Sequence, residues 1–141
     1  MARWLLKSEP DAFSWSQMHR DGATVWDGVR NHQATRNLKS MAVGDLAFFY
    51  HSNVGREIVG IVRVTEPFRP DPAAPGFGWV RVEAVAAVPR PVSLAAIKAD
   101  PALQGMALVR QSRLSVCPVS EPEWRRLCEL AGCAATFFLP A

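Results

Sequence analysis

The sequence predicts an α+β domain: a curled, mostly antiparallel β-sheet or small β-barrel flanked by short helices. Three observations lead there. The runs Leu46–Ser52 and Ile58–Val64 are rich in aromatic and β-branched residues, and only the loop 53–57, with Gly55, separates them, which is hairpin spacing. The helical segments are short, and three of them open on a serine suited to capping, at Ser14, Ser93 and Ser120. The expected order β-α-β-α-β-β-β-α-β-β-α sets strands side by side in the middle of the chain, where a parallel α/β domain would alternate strands and helices. A chain of 141 residues is long enough to bury the core of one such domain.

Taken in order, Arg3–Lys7 reads as a buried strand closed by Ser8-Glu9-Pro10. Ser14 with Gln17 three residues on reads as a capping box, Phe13 and Met18 as the accompanying hydrophobic staple, and Asp21-Gly22 as the helix stop. Ala23–Trp26 is a brief extended segment turned by Asp27-Gly28. A second helix is expected from about Asn31 to Met41, with Ala34, Leu38 and Met41 on one face. Residues 66–78 hold four prolines and two glycines and are expected to form an irregular loop. Trp79–Val88 alternates, with Trp79, Arg81 and Glu83 on one face and Val80, Val82 and Ala84 on the other. Ser93 caps a short helix to about Asp100, and Met106–Arg110 and Arg113–Val116 read as strand segments. In the last helix Ser120 is the N-cap, Glu123 completes a capping box, Val119 and Trp124 form the staple and Gly132 ends the run. The domain is placed at residues 1–132, and 133–141 is a tail without pattern.

Composition narrows the function. Hydrophobic residues make up 49% and charged residues 21%, an ordinary globular balance. No apolar run reaches eighteen residues, so no membrane partner is expected, and the N-terminus lacks the apolar core of a signal peptide, which points to the cytoplasm. Cys117, Cys128 and Cys133 form no C-x-x-C pair and fit neither a zinc site nor a disulfide framework; Cys128, on the apolar stripe of the last helix, is expected as a buried free thiol. The net charge of +3 is spread evenly, without a basic tail, but thirteen of the sixteen cations are arginine. Arginine's planar fork suits phosphates and base edges, so the composition permits a nucleic-acid partner without demanding one.

Enzyme signatures are sparse. His19, His32 and His51 lie in unrelated contexts, with no metal-ligand clustering, no H-x-E with P-C-x-x-C deaminase pair, no G-x-x-x-x-G-K phosphate loop and no G-x-G-x-x-G. A nucleophilic set could be drawn from Ser8 or Ser52 with His51 and Glu9, but no nucleophile elbow frames it. No cofactor and no metal are expected. Among the tryptophans, Trp4, Trp15 and Trp124 sit in core-facing patterns. Trp26 stands beside the Asp27-Gly28 turn and Trp79 on the polar face of its strand. Each is either an ordinary half-buried tryptophan or one wall of a cleft where a planar group stacks.

The motifs Lys-Ser-Glu-Pro (7–10), Trp-Asp-Gly-Val-Arg-Asn (26–31), Val-Gly-Asp-Leu-Ala-Phe-Phe-Tyr-His-Ser-Asn (43–53), Ile-Val-Gly-Ile (58–61), Pro-Val-Ser-Leu (91–94), Leu-Val-Arg-Gln (108–111), Arg-Leu-Ser-Val (113–116) and Pro-Val-Ser-Glu (118–121) occur in this order. Together they resemble the EVE domain family. The likeness runs from residue 3 to about 131 and departs at His32-Gln33-Ala34-Thr35, where the family has Tyr-Gln-Ala-Arg, and in a shorter 66–78 loop. The resemblance implies the PUA-like fold, similar also to YTH domains that read methylated adenine in RNA, and implies recognition of a modified base in DNA or RNA. On this expectation Trp26 and Trp79 wall an aromatic cage, Ser8 and Asn31 read the base edge, and Tyr50, His51 and Ser52 lie on its rim at the open end of their strand. Lys7, Arg30, Arg36 and Arg110 are the expected contacts to the nucleic-acid backbone. Two other readings share these residues: an enzyme acting on RNA or nucleotides through His51 with Ser8 or Glu9, and a small-molecule sensor using the same pocket.

Overall fold

The computed structural model describes residues 2–133. Eleven elements follow one another: β1 (Arg3–Ser8), α1 (Trp15–Asp21), β2 (Ala23–Trp26), α2 (His32–Ser40), β3 (Leu46–His51), β4 (Glu57–Pro70), β5 (Gly78–Ser93), α3 (Leu94–Ala99), α4 (Ala107–Arg110), β6 (Val116–Val119) and α5 (Glu121–Ala131), with a 3₁₀ turn at Pro101–Leu103. The strands form one six-stranded sheet in the order β2-β5-β4-β3-β1-β6. Every pairing is antiparallel except β1 with β3. That exception follows from connectivity, because the chain passes through α1, β2 and α2 before returning as β3, and parallel neighbours require such a crossover. The result is a curled, open sheet of mostly antiparallel strands flanked by short helices, the α+β architecture the sequence predicts.

The β3–β4 hairpin pairs Leu46 with Arg63 and His51 with Glu57, with a bulge opposite Phe49/Tyr50. β3 lies in the middle of the sheet, and Leu46 to Tyr50 are all buried. Its two faces carry two cores. On one, Phe48 stacks on Trp124 of α5 at a centroid distance of 3.9 Å. On the other, Phe49 meets Trp15 and Trp26 edge-on at 5.3 and 5.5 Å. Trp15 lies flat against β4 where Gly60 leaves room, since a Cβ at that position would run into its ring.

The helix caps follow the sequence closely. Ser120 Oγ accepts from Glu123 N–H while Glu123 Oε1 accepts from Ser120 N–H, a complete capping box, and Gly132 ends α5 in the left-handed conformation. At α1 only half the box forms. Ser14 Oγ accepts from Gln17 N–H, but the Gln17 side chain turns to Asp21 and Arg20 instead.

Two expectations fail. The region 66–78 is not a loop throughout: β4 runs to Pro70, β5 begins at Gly78, and only 71–77 is irregular. Pro67 is tolerated because the β4–β5 register shifts between Val64 and Glu66 and again between Glu66 and Arg69, so this exposed residue falls outside the paired positions, and Pro70 is the last residue of its strand. The expected strand segments at 106–110 and 113–116 are also wrong in part. Ala107–Arg110 is a single helical turn and the strand is Val116–Val119. A run of only four or five apolar residues does not separate one helical turn from a strand. Cys117, Cys128 and Cys133 are unpaired, with Cys128 fully buried. Of the tail 133–141, only Cys133 belongs to the described residues. No helix among them is long and apolar enough to cross a membrane.

Candidate base-binding cleft

Where β1 ends, the chain must leave the sheet at Pro10, and where β2 ends, Asp27-Gly28 turns it toward α2. These two exits diverge and leave between them a cleft of about 590 Å³, within the usual range of ligand pockets. Phe13, Val25, Trp26 and Val29 supply its apolar wall, and Lys7, Ser8, Glu9, Thr24, Asp27, Arg30, Asn31 and Ser115 its polar groups. Trp26 is only 8% exposed. It is held edge-on by Phe49 and by Phe13, the latter at 6.2 Å and 79°, so its ring has one fixed setting.

The polar groups are partly committed. Ser8 donates its hydroxyl proton to Phe13 O, which leaves its oxygen free to accept. Asn31 is the N-cap of α2, its Oδ1 accepting from Ala34 N–H at 2.9 Å, so its amide NH₂ is the part available to a ligand. Glu9 Oε1 accepts from Asn53 Nδ2 at 2.8 Å, tying the cleft rim to the β3–β4 turn. Arg30 lies over the Phe77 ring at 5.4 Å, and His32 stacks on Phe77 at 5.1 Å and 21°, an arrangement that fixes a cation beside the cleft.

The structure therefore brings Ser8, Trp26, Asn31, Lys7 and Arg30 together around one cleft. The other expected residues are elsewhere. Trp79 does not line it: β2 pairs with β5 so that Trp26 faces Val80, and Trp79, one residue earlier, projects from the opposite side of the sheet, where its register partner is Arg69. Tyr50 and Ser52 are separated from it by the same alternation. Lys7 pairs with Tyr50 and Ser8 with His51, so Tyr50 belongs to the Phe48 face, and it lines a second cavity of about 310 Å³ with Ser52. His51 lies on the cleft's side of the sheet, but its Nε2 accepts the Trp15 N–H at 3.0 Å at the start of α1. Burial pushes this imidazole below its ordinary value, against the opposing pull of Glu57, which keeps it neutral and able to accept. Arg36 lies on the exposed side of α2, away from the cleft. Arg110 lines a third hollow of about 300 Å³ with Gln33, Gln111 and Arg113, which shares only Asn31 with the cleft.

Sequence reasoning missed Phe13, Thr24, Asp27, Val29 and Ser115. Phe13 has an explanation in the staple, which hides its second role, and Asp27 stood beside Trp26 in a motif already singled out. Val29 shares that motif and Ser115 stands in Arg-Leu-Ser-Val (113–116), while Thr24 lies in none of the motifs. Among the described residues no cluster of His, Cys, Asp or Glu could hold a metal ion.

The model of the EVE domain matches residues 2–130 of the chain. Thymocyte nuclear protein 1 of Gallus gallus is 33% identical over 157 residues, 86% of this chain and 65% of that protein, so the chain spans just under two thirds of that relative. The crystal structure of an Agrobacterium tumefaciens protein is similar with a TM-score of 0.94 and 42% identity over 100% of both chains. The crystal structure of human THYN1 in complex with 5-methylcytosine containing DNA gives a TM-score of 0.88 and 28% identity, covering 95% of this chain and 99% of that one. A YTH domain of Zygosaccharomyces rouxii shares the fold at a TM-score of 0.58 and 14% identity, over 92% of this chain and 86% of its own. The chain belongs to the EVE domain family.

Proposed function

We propose that this protein is a reader of a modified nucleobase in DNA, with 5-methylcytosine the first candidate, and that the base enters the Trp26 cleft. The observation that carries the reading is the cleft itself, where a tryptophan held by two edge-on rings shares one lining with apolar side chains and with edge-reading groups that keep hydrogen-bonding capacity. The human relative crystallised with 5-methylcytosine containing DNA supports the choice of base. A cytosine edge offers one amine donor and two acceptors. The Asp27 carboxylate and the Ser8 oxygen suit the amine, and the Asn31 amide suits an acceptor. Stacking on Trp26 is worth about 1–3 kcal/mol. Burying one methyl against Val25, Val29 or Phe13 adds roughly 0.8 kcal/mol, about fourfold in affinity. The methyl thus tunes selectivity, while stacking and backbone contacts supply most of the affinity.

The enzyme reading is less well supported because His51, its base, already accepts the Trp15 N–H. The test is binding of matched single-stranded oligonucleotides carrying cytosine, 5-methylcytosine or 5-hydroxymethylcytosine, in DNA and RNA, at fixed salt. Preference for a modified strand, lost in a folded Trp26→Ala variant, is the expected result. Equal affinity for modified and unmodified strands overturns the reading.

A further inference from the structure

Lys7 lies at the sheet end between two cavities. Its neighbours in the second one are Arg56 and Lys98, with the hydroxyl-bearing side chains of Tyr50, Ser52 and Ser112, and no carboxylate lines it. Arg3, Arg63, Arg69 and Arg126, by contrast, each sit within 4 Å of a glutamate or aspartate. Among the described residues, none of Lys7, Arg56 and Lys98 is in an ion pair. Three cations therefore converge on one cavity whose lining holds no carboxylate.

Two of these groups, Lys7 and Arg56, are also held in place. Arg56 takes a left-handed backbone, φ 48, in the β3–β4 turn, and its carbonyl accepts from Leu94 N–H at 2.8 Å, which pins the turn to the start of α3. Its Nε donates to Asn53 O at 3.2 Å, leaving both terminal nitrogens available. Ser52 N–H donates to Ser8 O at 2.9 Å, and Asn53 reaches Glu9, so the turn is fastened to the rim of the Trp26 cleft as well. Lys7 spends one of its three protons on Ser112 O at 2.9 Å. Burial holds its ammonium below the usual lysine value, against a smaller opposing pull from Cys117.

We propose that this second cavity is a phosphate site, which holds a phosphodiester of the strand whose base occupies the Trp26 cleft. The shared residue Lys7 sets the two sites one side chain apart, as a base and a neighbouring phosphate of one strand require. The assignment of the phosphate to a strand rests on the base-reading proposal; the cavity's affinity for phosphate does not. A phosphate oxygen accepts from the Arg56 fork, from Lys98 and from the remaining protons of Lys7.

The experiment uses the full chain and single-stranded DNA with one 5-methylcytosine, measured over a salt series, beside Arg56→Ala, Lys98→Ala and the double variant. Each single variant is expected to weaken modified and unmodified strands alike and to lower the salt slope by about 0.7, one phosphate contact on single-stranded DNA, with their affinity ratio preserved. A strand with a neutral methylphosphonate beside the modified base is expected to lose affinity for the wild type and no further affinity for the double variant. Inorganic phosphate is expected to shift the NMR amide signals of Ser52 and Arg56. If the double variant binds strands as the wild type does, with the same salt slope, the strand-phosphate assignment is overturned. If inorganic phosphate shifts those amides but no strand binds, the base-reading proposal fails while the cavity stands as a site for free phosphate. If phosphate leaves those amides unmoved and the double variant is silent, the cavity proposal fails by itself.

Discussion

Phe48 and Phe49 are chain neighbours, both fully buried, and they serve two faces of the sheet that are built in opposite ways. On the Phe48 side the ring stacks on Trp124 at 24°, and α5 closes over the pair, so that Leu127, Cys128 and Ala131 are also fully buried. On the Phe49 side the contacts are edge-on to Trp15 and Trp26 and tilted to Phe13, and no helix residue lines the cleft beside Ser8 and Trp26. Parallel stacking fills the space between Phe48 and α5. A cluster of tilted rings fixes each member's angle and yet leaves the outermost of them beside an open cleft. The first face makes the fold stable, and the second spends aromatic packing on positioning one ring.

The largest expected effect tests the closed face. Trp124→Ala should cost about 3–5 kcal/mol, because a fully buried indole is removed from beneath a helix and the stack on Phe48 is lost with it. Urea midpoints with an unchanged m-value read that loss. A cost below about 1 kcal/mol would mean that α5 packs loosely, and the contrast between the faces would collapse.

Trp26→Ala is the counterpart. It should weaken binding of the modified strand by roughly ten- to a hundredfold, the equivalent of about 1–3 kcal/mol of stacking, while costing less stability than Trp124→Ala because its ring borders the cleft. Circular dichroism at the binding temperature confirms that the variant is folded. Unchanged affinity combined with a large stability loss would make Trp26 simply another core residue.

How far the sequence foretold this depends on what each residue had to reveal. The last helix was legible down to its cap, because Ser120, Glu123 and Gly132 act through local backbone hydrogen bonds that spacing alone specifies. Cap loss is accordingly a modest and local prediction. Ser120→Ala should cost about 1 kcal/mol, seen as a lower melting temperature, with base selectivity untouched. Trp26, Ser8 and Asn31 were legible through motif resemblance, and the cleft brings them together. What stayed hidden was which face of the sheet each strand residue would take. Register depends on partners distant in sequence, and a shift of one position exchanges the two faces. Tyr50 and Ser52 were placed at the correct strand end and on the wrong side of it. The convergence of Lys7, Arg56 and Lys98 was equally hidden, since it joins the end of β1, a hairpin turn and α3 across 91 residues of sequence.

A smaller effect concerns the start of α1. His51 accepts the Trp15 N–H only when neutral, and burial depresses its pKa below the ordinary 6.5 despite Glu57 nearby. A depressed value means that the folded state binds this proton less readily than the unfolded chain does. The contribution to stability is therefore complete above pH 6.5 and is lost as the pH falls below 6.5 through the folded value. Melting temperatures of the wild type should drop between pH 7 and pH 5 by more than those of His51→Gln, which stays neutral throughout. Parallel curves for the two proteins would show that the cap does not sense protonation.

The smallest expected effect is the sharpest test of the two-face description. Trp79 has the same ring as Trp26, sits one residue from Val80, which is Trp26's own partner, and is half-buried on a polar strand face. By residue type and sequence setting the two tryptophans were equivalent candidates. The pleat alone separates them, because adjacent residues on β5 project to opposite sides, and Trp79 keeps company with Arg69 of β4 instead of the cleft. Trp79→Ala should therefore leave the ratio of modified to unmodified affinity unchanged, even if some stability is lost with the half-buried ring. The comparison with Trp26→Ala cancels errors common to both, since each variant removes one indole and the same oligonucleotides report on both. If Trp79→Ala reduces the ratio as far as Trp26→Ala does, base recognition reaches across β5, and the cleft bounded by Ser8, Trp26 and Asn31 is only part of the binding surface.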